Sequence, residues 1–202
     1  MNKTIVIILL FTLSSTIGYA QQPISMKSTA QGFSGQLHLG YGQWSSDDLE
    51  VDRESGINFG LKAAYGFTEL IEAFARFDYA VLTPAYEGFS PFPYSHLDLG
   101  LRLNLGSTVK PWRPFVHLSG AIIYSLQEAT DVDGYLVELD MTGFGLSLGG
   151  GMKYHITMDL AALIGTDITF GNMNLIYVND YEYDDEFDAN SFRLYVGMAY
   201  YF

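Results

Sequence analysis

His117 and Ser119 stand two residues apart in the run Phe115 to Gly120, and a carboxylate follows at Glu128. Residues i and i+2 of a β-strand share a face. The imidazole could therefore act as base on the hydroxyl while the carboxylate orients it, a division of labour that serves acyl transfer. The flanking residues otherwise read as an ordinary apolar strand, and no oxyanion donor can be identified among them. His38, His96 and His117 fall on inward positions of three separate segments, which could suggest a metal site, but hydrogen-bonded interior histidines are the commoner arrangement and are expected here. Asp131, Asp133, Gly134, Leu136 and Asp140 have the offsets of part of a calcium-binding loop. Ala129, however, sits where the first ligand belongs, and an aspartate replaces the closing bidentate glutamate. An Asp-Gly hairpin explains the same residues. The expectation is no cofactor, no metal and no enzyme.

A larger set is more informative. Lys62, Glu72, Arg76, Asp78, Asp98, Arg102, Lys153, Asp167 and Arg193 each occupy a segment whose opposite face is apolar. Five cations against four anions make a nearly balanced inner wall, and such charges persist in a narrow interior when paired. Arg76 and Arg102 are expected to link to Glu72, Asp78 and Asp98 between neighbouring strands.

Eight segments with a period of two residues position these groups. They run about 32–44, 56–67, 70–82, 97–105, 114–126, 141–154, 159–170 and 192–202. The fourth sets Leu97, Leu99, Leu101, Leu103 and Leu105 against His96, Asp98, Arg102 and Asn104. The last alternates without a break from Phe192 to Phe202. No outward position carries a charge, and Lys or Arg facing mid-bilayer would cost about 2 to 4 kcal/mol. Short connections follow the second, fourth and sixth segments, and long ones the others. The fold expected is an all-β, eight-stranded antiparallel up-and-down transmembrane β-barrel, with Trp112, Phe115, Tyr154, Tyr200 and Phe202 as one aromatic girdle. Trp44, Tyr79, Tyr124, Phe170 and Phe192 would form the other. A porin of 16 strands would not fit this length.

One turn can be tested by parity. A two-residue loop at Asp133-Gly134 would pair lipid-facing with luminal residues, whereas a three-residue loop, Val132 to Gly134, with Gly134 left-handed, pairs Asp131 with Tyr135 and keeps the faces in register. The bulged form is expected, with both strands continuing above the membrane.

Met1 to Ala20 has Lys3, an apolar run from Ile5 to Leu13, and small residues before Gln21. It reads as a cleaved signal peptide, too short for the roughly 20 residues of a spanning helix. Residues 21–31 would be an N-terminal periplasmic segment and 32–202 the barrel. The chain has no cysteine, hence no disulfides. Its formal net charge of -13 makes nucleic acid an improbable partner. Of its 23 acids, 17 lie in the four long loops with Arg53 as the only cation, so the outer rim is strongly acidic. Tyr177, Tyr181 and Tyr183 among Asp184, Asp185 and Glu186 resemble a recognition surface, because tyrosines gain contact area at low entropic cost.

The ending Gly197-x-x-Tyr200-x-Phe202 resembles the C-terminal signal by which the barrel-assembly machinery recognises bacterial outer-membrane barrels. In pattern the mature chain is similar to the small outer-membrane families, including the OmpX, OmpA transmembrane-domain and OmpW types. OmpX-type similarity implies surface attachment or envelope integrity, and OmpW-type similarity implies passage of small apolar compounds. The first is favoured here because the luminal positions are charged. The His117-x-Ser119 pair resembles that of the lipid A deacylase family, a lesser alternative. Partners implied are outer-membrane lipid and lipopolysaccharide, the assembly machinery, and an extracellular ligand of the acidic loops.

Overall fold

Strict alternation over long segments leaves a chain one way to hide its polar face: rolling the sheet closed so that charges turn inward and apolar side chains turn out. In the computed structural model, which describes residues 30–49, 51–84, 90–130, 136–178, 181–183 and 185–202, this is the outcome. The strands are β1 (Gly32–Ser46), β2 (Val51–Gly66), β3 (Ile71–Thr83), β4 (Phe92–Asn104), β5 (Trp112–Thr130), β6 (Leu136–His155), β7 (Leu160–Val178), β8 (Tyr181–Tyr183), β9 (Phe187–Asp188) and β10 (Asn190–Tyr201). β1 to β7 pair in sequence with antiparallel neighbours, and β10 closes the barrel by pairing with both β7 and β1. The result is an eight-stranded antiparallel up-and-down barrel. β8 and β9 are short additions to β7 at the long-loop end.

Opposed residues define the stagger. A circuit from Gln43 through Phe192, Ile168, Leu148, Leu118, Leu101, Ala73 and Tyr65 returns to β1 at Phe33, ten residues from its start. That shift, about 33 Å along the strand against eight spacings of about 4.8 Å, tilts the strands by roughly 40°. Every residue of the circuit faces outward, so one step of slippage at any ladder would turn the apolar set into the interior.

The outer wall is an apolar belt that includes Leu37, Leu39, Phe59, Leu99, Leu118, Leu148, Ile164 and Val196, all exposed. Trp112, Tyr154, Tyr200 and Phe202 edge it at the short-turn end, and Tyr79, Tyr124, Phe170 and Phe192 toward the other. Two girdle assignments are corrected: Trp44 and Phe115 are 2% and 1% exposed and point inside. Both have the parity of inward residues on their strands, and aromatic type had outweighed it.

At the long-loop end β5 and β6 continue in register to Thr130 opposite Leu136, the pairing parity that a three-residue loop requires. The loop itself, 131–135, lies outside the described residues, as do the leader 1–20 and most of the segment 21–31. Two bulges break the alternation near this rim. Asn174 has no counterpart between the pairs Thr142 with Leu175 and Gly143 with Met173, and the β1–β2 register shifts between Trp44 and Ser46. Residues 174–178 thus continue β7 and do not add a ninth or tenth barrel strand.

Candidate functional site

The interior has three storeys, stacked from the short-turn end upward. At the base, Arg113, buried at the start of β5, donates through Nη1 to Glu69 Oε2 (3.2 Å) and through Nη2 to the Glu69 carbonyl. The same carboxylate accepts from the backbone N–H of Ala30 (2.9 Å), holding the incoming chain inside the rim. Arg113 precedes the alternating segment 114–126, and its luminal place follows from parity because β5 begins at Trp112.

The lower storey is centred on Glu72. Its carboxylate accepts from Lys62 Nζ (2.5 Å), Lys153 Nζ (3.3 Å), Arg102 Nη1 (3.4 Å) and Asn104 Nδ2 (3.3 Å). Lys153 also donates to Asn104 Oδ1 (2.9 Å) and Tyr201 OH (2.8 Å). Three cations around one carboxylate would repel, and aromatic faces offset this. Lys62 Nζ lies 4.6 Å from the centre of the Phe74 ring, and the Arg102 guanidinium 4.2 Å from that of Phe115. Phe115 is inside for a reason the girdle assignment missed.

The middle storey inverts the balance, with two arginines among three aspartates. Arg76 donates to Asp98 through Nε (3.1 Å) and Nη2 (2.6 Å) and to Asp167 through Nη1 (2.5 Å), and lies 2.9 Å from Asp78. Arg193 donates to Asp78 (2.5 Å), Asp98 (2.8 Å) and Thr169 Oγ1 (3.0 Å). Ser147 donates to Asp98 (3.0 Å). His38 Nε2 meets Asp78 (2.6 Å), and His117 Nε2 lies against Asp167. These bonds span the barrel from β3 to β7 and from β10 to β3 and β4. The expected links from Arg76 to Asp78 and Asp98 are present, and so is that from Arg102 to Glu72. Those from Arg76 to Glu72 and from Arg102 to Asp78 and Asp98 are not among the described ion pairs. Two glycines make room. A Cβ on Gly60 would overlap the His38–Asp78 pair, and one on Gly149 the His117–Asp167 pair.

The hydrolase pattern does not assemble as drawn. Glu128 is eleven residues along β5 from His117, about 36 Å at strand rise, so it cannot orient that ring. Asp167 takes the place beside His117, but Ser119 Oγ makes no hydrogen bond among the described residues, and all three side chains are buried in the interior. The histidines form no metal-ligating group among the described residues: His38 meets Asp78, His117 meets Asp167 and His96 faces Ser191 (3.3 Å), while a fourth luminal histidine, His155, is buried at the base against Tyr201.

The upper storey is apolar. Leu82, Ile123 and Met173 are fully buried, with Trp44, Phe92 and Met141 nearly so. Above them a half-open cavity of about 550 Å³ is walled by Val51, Leu139, Ile176, Val178 and Phe187, with Asp48, Glu54, Asp185 and Glu186 also lining it. This corrects the reading of the lumen as charged throughout. The two bulges swing Val51, Ile176 and Val178 inward, so parity from the membrane segments does not predict them.

Of the loop residues, Tyr177 and Tyr181 are exposed, the latter at 75%, and Glu186 accepts from Asn172 Nδ2 (2.6 Å). Asp185 is exposed at the cavity lip. Asp184 and the Tyr183 side chain lie outside the described ones. Gly197 opposes His38 on the closing seam, while Tyr200 and Phe202 project outward with ring centres 5.1 Å apart.

No family model and no curated protein sequence matches the chain. Among solved structures it is similar to Neisserial surface protein A, with a TM-score of 0.65 and 14% identity over 85% of this chain and 98% of that one. The chain has the fold of the small outer-membrane β-barrels. The same fold appears in OprG from Pseudomonas aeruginosa (TM-score 0.52, 13% identity, 84% of this chain and 96% of that one). It appears again in Ail of Yersinia pestis in complex with the heparin analogue sucrose octasulfate (0.50, 14%, 84% and 100%). At these identities the outer-membrane barrel fold is shared and the side chains of the three storeys are this chain's own.

Proposed function

We propose that the chain is an integral protein of the bacterial outer membrane, exported by a cleaved leader and assembled through its Gly197, Tyr200 and Phe202 ending, that acts at the cell surface rather than as a pore. The observation that carries this is the interior. Six buried cations and four buried acids, with Ser147, Thr169 and the aromatic rings, occupy the described lumen below the upper cavity. An ion crossing it would have to part pairs such as Arg76–Asp167. The outer belt contacts lipid and lipopolysaccharide, and the acidic long-loop end faces outward as the contact surface for adhesion or envelope integrity. Names such as surface protein and attachment locus among proteins of this fold agree with that reading. The sulfated ligand of Ail does not transfer: a polyanion would meet an acidic rim here. The sealed His117–Asp167 pair supports a non-catalytic role.

A second reading, passage of small apolar solutes, is favoured by the apolar upper cavity alone. Single-channel conductance of the refolded mature protein separates the two, with a heat-modifiable gel shift to show that the barrel has formed. The plugged reading expects a folded barrel and no current; reproducible current would overturn it.

A further inference from the structure

We propose that the upper cavity is a blind binding site for cationic amphiphiles, small molecules with an apolar body and an ammonium head. The inference rests on the reading that the lumen is plugged and its mouth faces outward. The cavity, about 550 Å³, lies within the 300 to 1,000 Å³ typical of small-molecule sites. Its depth is apolar, with Phe92, Met141 and Ile176 below and beside the space and Trp44 presenting an aromatic wall braced edge-on by Phe92. Beneath it Leu82, Ile123 and Met173 close the floor above the charged storeys. A ligand therefore enters and leaves by the same opening.

The charge of the lining selects the head group. Asp48, Glu54, Asp185 and Glu186 contribute carboxylates, and none of the described lining residues is Lys or Arg. Arg53, the cation nearest in sequence, lines a separate groove with Gln43 and Phe192. Glu54 is the decisive residue. It is only 5% exposed and borders apolar surface, where its negative charge is screened least by water and acts most strongly on a cation in the cavity. A pocket for anions would not place acids there, and a pocket for pure hydrocarbon has no use for them.

The rim is also held in shape before anything binds. Asp188 Oδ1 accepts from Ser46 Oγ and from the backbone N–H of Asp48, both at 2.9 Å, and Asp48 Oδ2 accepts in return from the backbone N–H of Asp188 (2.9 Å). This reciprocal clasp ties the first long loop to the fourth across the mouth. Preorganisation of that kind lowers the ordering cost of binding.

The test uses the full mature chain refolded into zwitterionic nanodiscs. Trp112→Phe leaves Trp44 as the only indole. Decyltrimethylammonium, decanol and decyl sulfate are titrated below their micelle concentrations, with protein-free nanodiscs subtracted. The expected result is a saturable change in Trp44 emission, with the ammonium binding about tenfold tighter than the alcohol and the sulfate weakest. Glu54→Gln and Glu186→Gln should each erase most of the ammonium preference while leaving decanol unchanged. Ile176→Phe, which fills the cavity, should weaken both. A folded barrel with no saturable response, or with equal affinity for all three probes, overturns the proposal. Current through the same barrel overturns the plugged reading instead, and it leaves the order of the three affinities standing as evidence for the site.

Discussion

Arg76→Met removes a guanidinium that is 1% exposed and holds Asp98 and Asp167 by hydrogen bonds with Asp78 close by. Methionine keeps much of the stem's volume, so the loss is electrostatic. Arg193 still reaches Asp78 and Asp98, but Asp167 retains only His117 among its described side-chain partners. Leaving a buried charge without its counter-ion costs about 3 to 5 kcal/mol. Lys62→Met is the contrasting change. Glu72 keeps Lys153 and Arg102, and their mutual repulsion with Lys62 disappears, so the loss is at most that of one charged hydrogen bond, about 1.5 to 3 kcal/mol. Urea titration of the refolded barrel in phospholipid vesicles, read by the gel shift of folded protein, gives both values. Adding Asp167→Asn to Arg76→Met should recover part of the loss, since the orphaned charge goes with it. Equal costs for Arg76→Met and Lys62→Met, or no cost for the former, would refute the account of two storeys with opposite charge surplus.

Glu72→Gln should be the most damaging change in the lower storey, because it leaves three cations facing one another; a urea midpoint no lower than that of Lys62→Met would count against this. Gly149→Ala drives a methyl group into Asp167 and His117 and should cost about 1 to 3 kcal/mol, whereas Gly120→Ala meets open space and should be neutral in the same assay. At the rim, partial burial pushes the Asp188 carboxyl up. Hydrogen bonds from the backbones of Asp48 and Asp47 and from Ser46 outweigh it and hold the group below the ordinary carboxylate value. A depressed value means the clasp's stabilisation is complete above about pH 3.9 and fades as pH falls through the lower folded value. Limited proteolysis with an acid-active protease should thus show loops one and four opening only below that range. Asp188→Asn should remove the pH dependence.

Alternation fixed the inward or outward sense of the membrane-spanning positions, because a two-residue period between lipid and a polar interior leaves little freedom. What it could not provide was the partner across the lumen. Arg76 and Asp98 are ladder neighbours and could be paired from register, but Arg76 with Asp167 depends on barrel diameter and stagger, which no local segment states. The apolar mouth escaped notice for a different reason. Above the bilayer both faces of a strand meet polar or mixed surroundings, the pattern fades, and bulges at Asn174 and beside Trp44 reverse it. At Trp44 and Phe115 position decides over residue type: both aromatics have inward parity and lie inside the barrel.

Arg193 lies on the last strand, and its partners Asp78 and Asp98 lie on β3 and β4. An open sheet carrying β1 to β7 can make every neighbouring ladder and still leave these aspartates short of a counter-ion. The interior is completed only when β10 arrives between β7 and β1 with the right stagger, since a shift of two residues, which the outer face would tolerate, moves Arg193 by about 7 Å and off its acids. The charged interior thus specifies one stagger at the closing seam, since a two-residue slip that leaves the outer face apolar separates Arg193 from its acids.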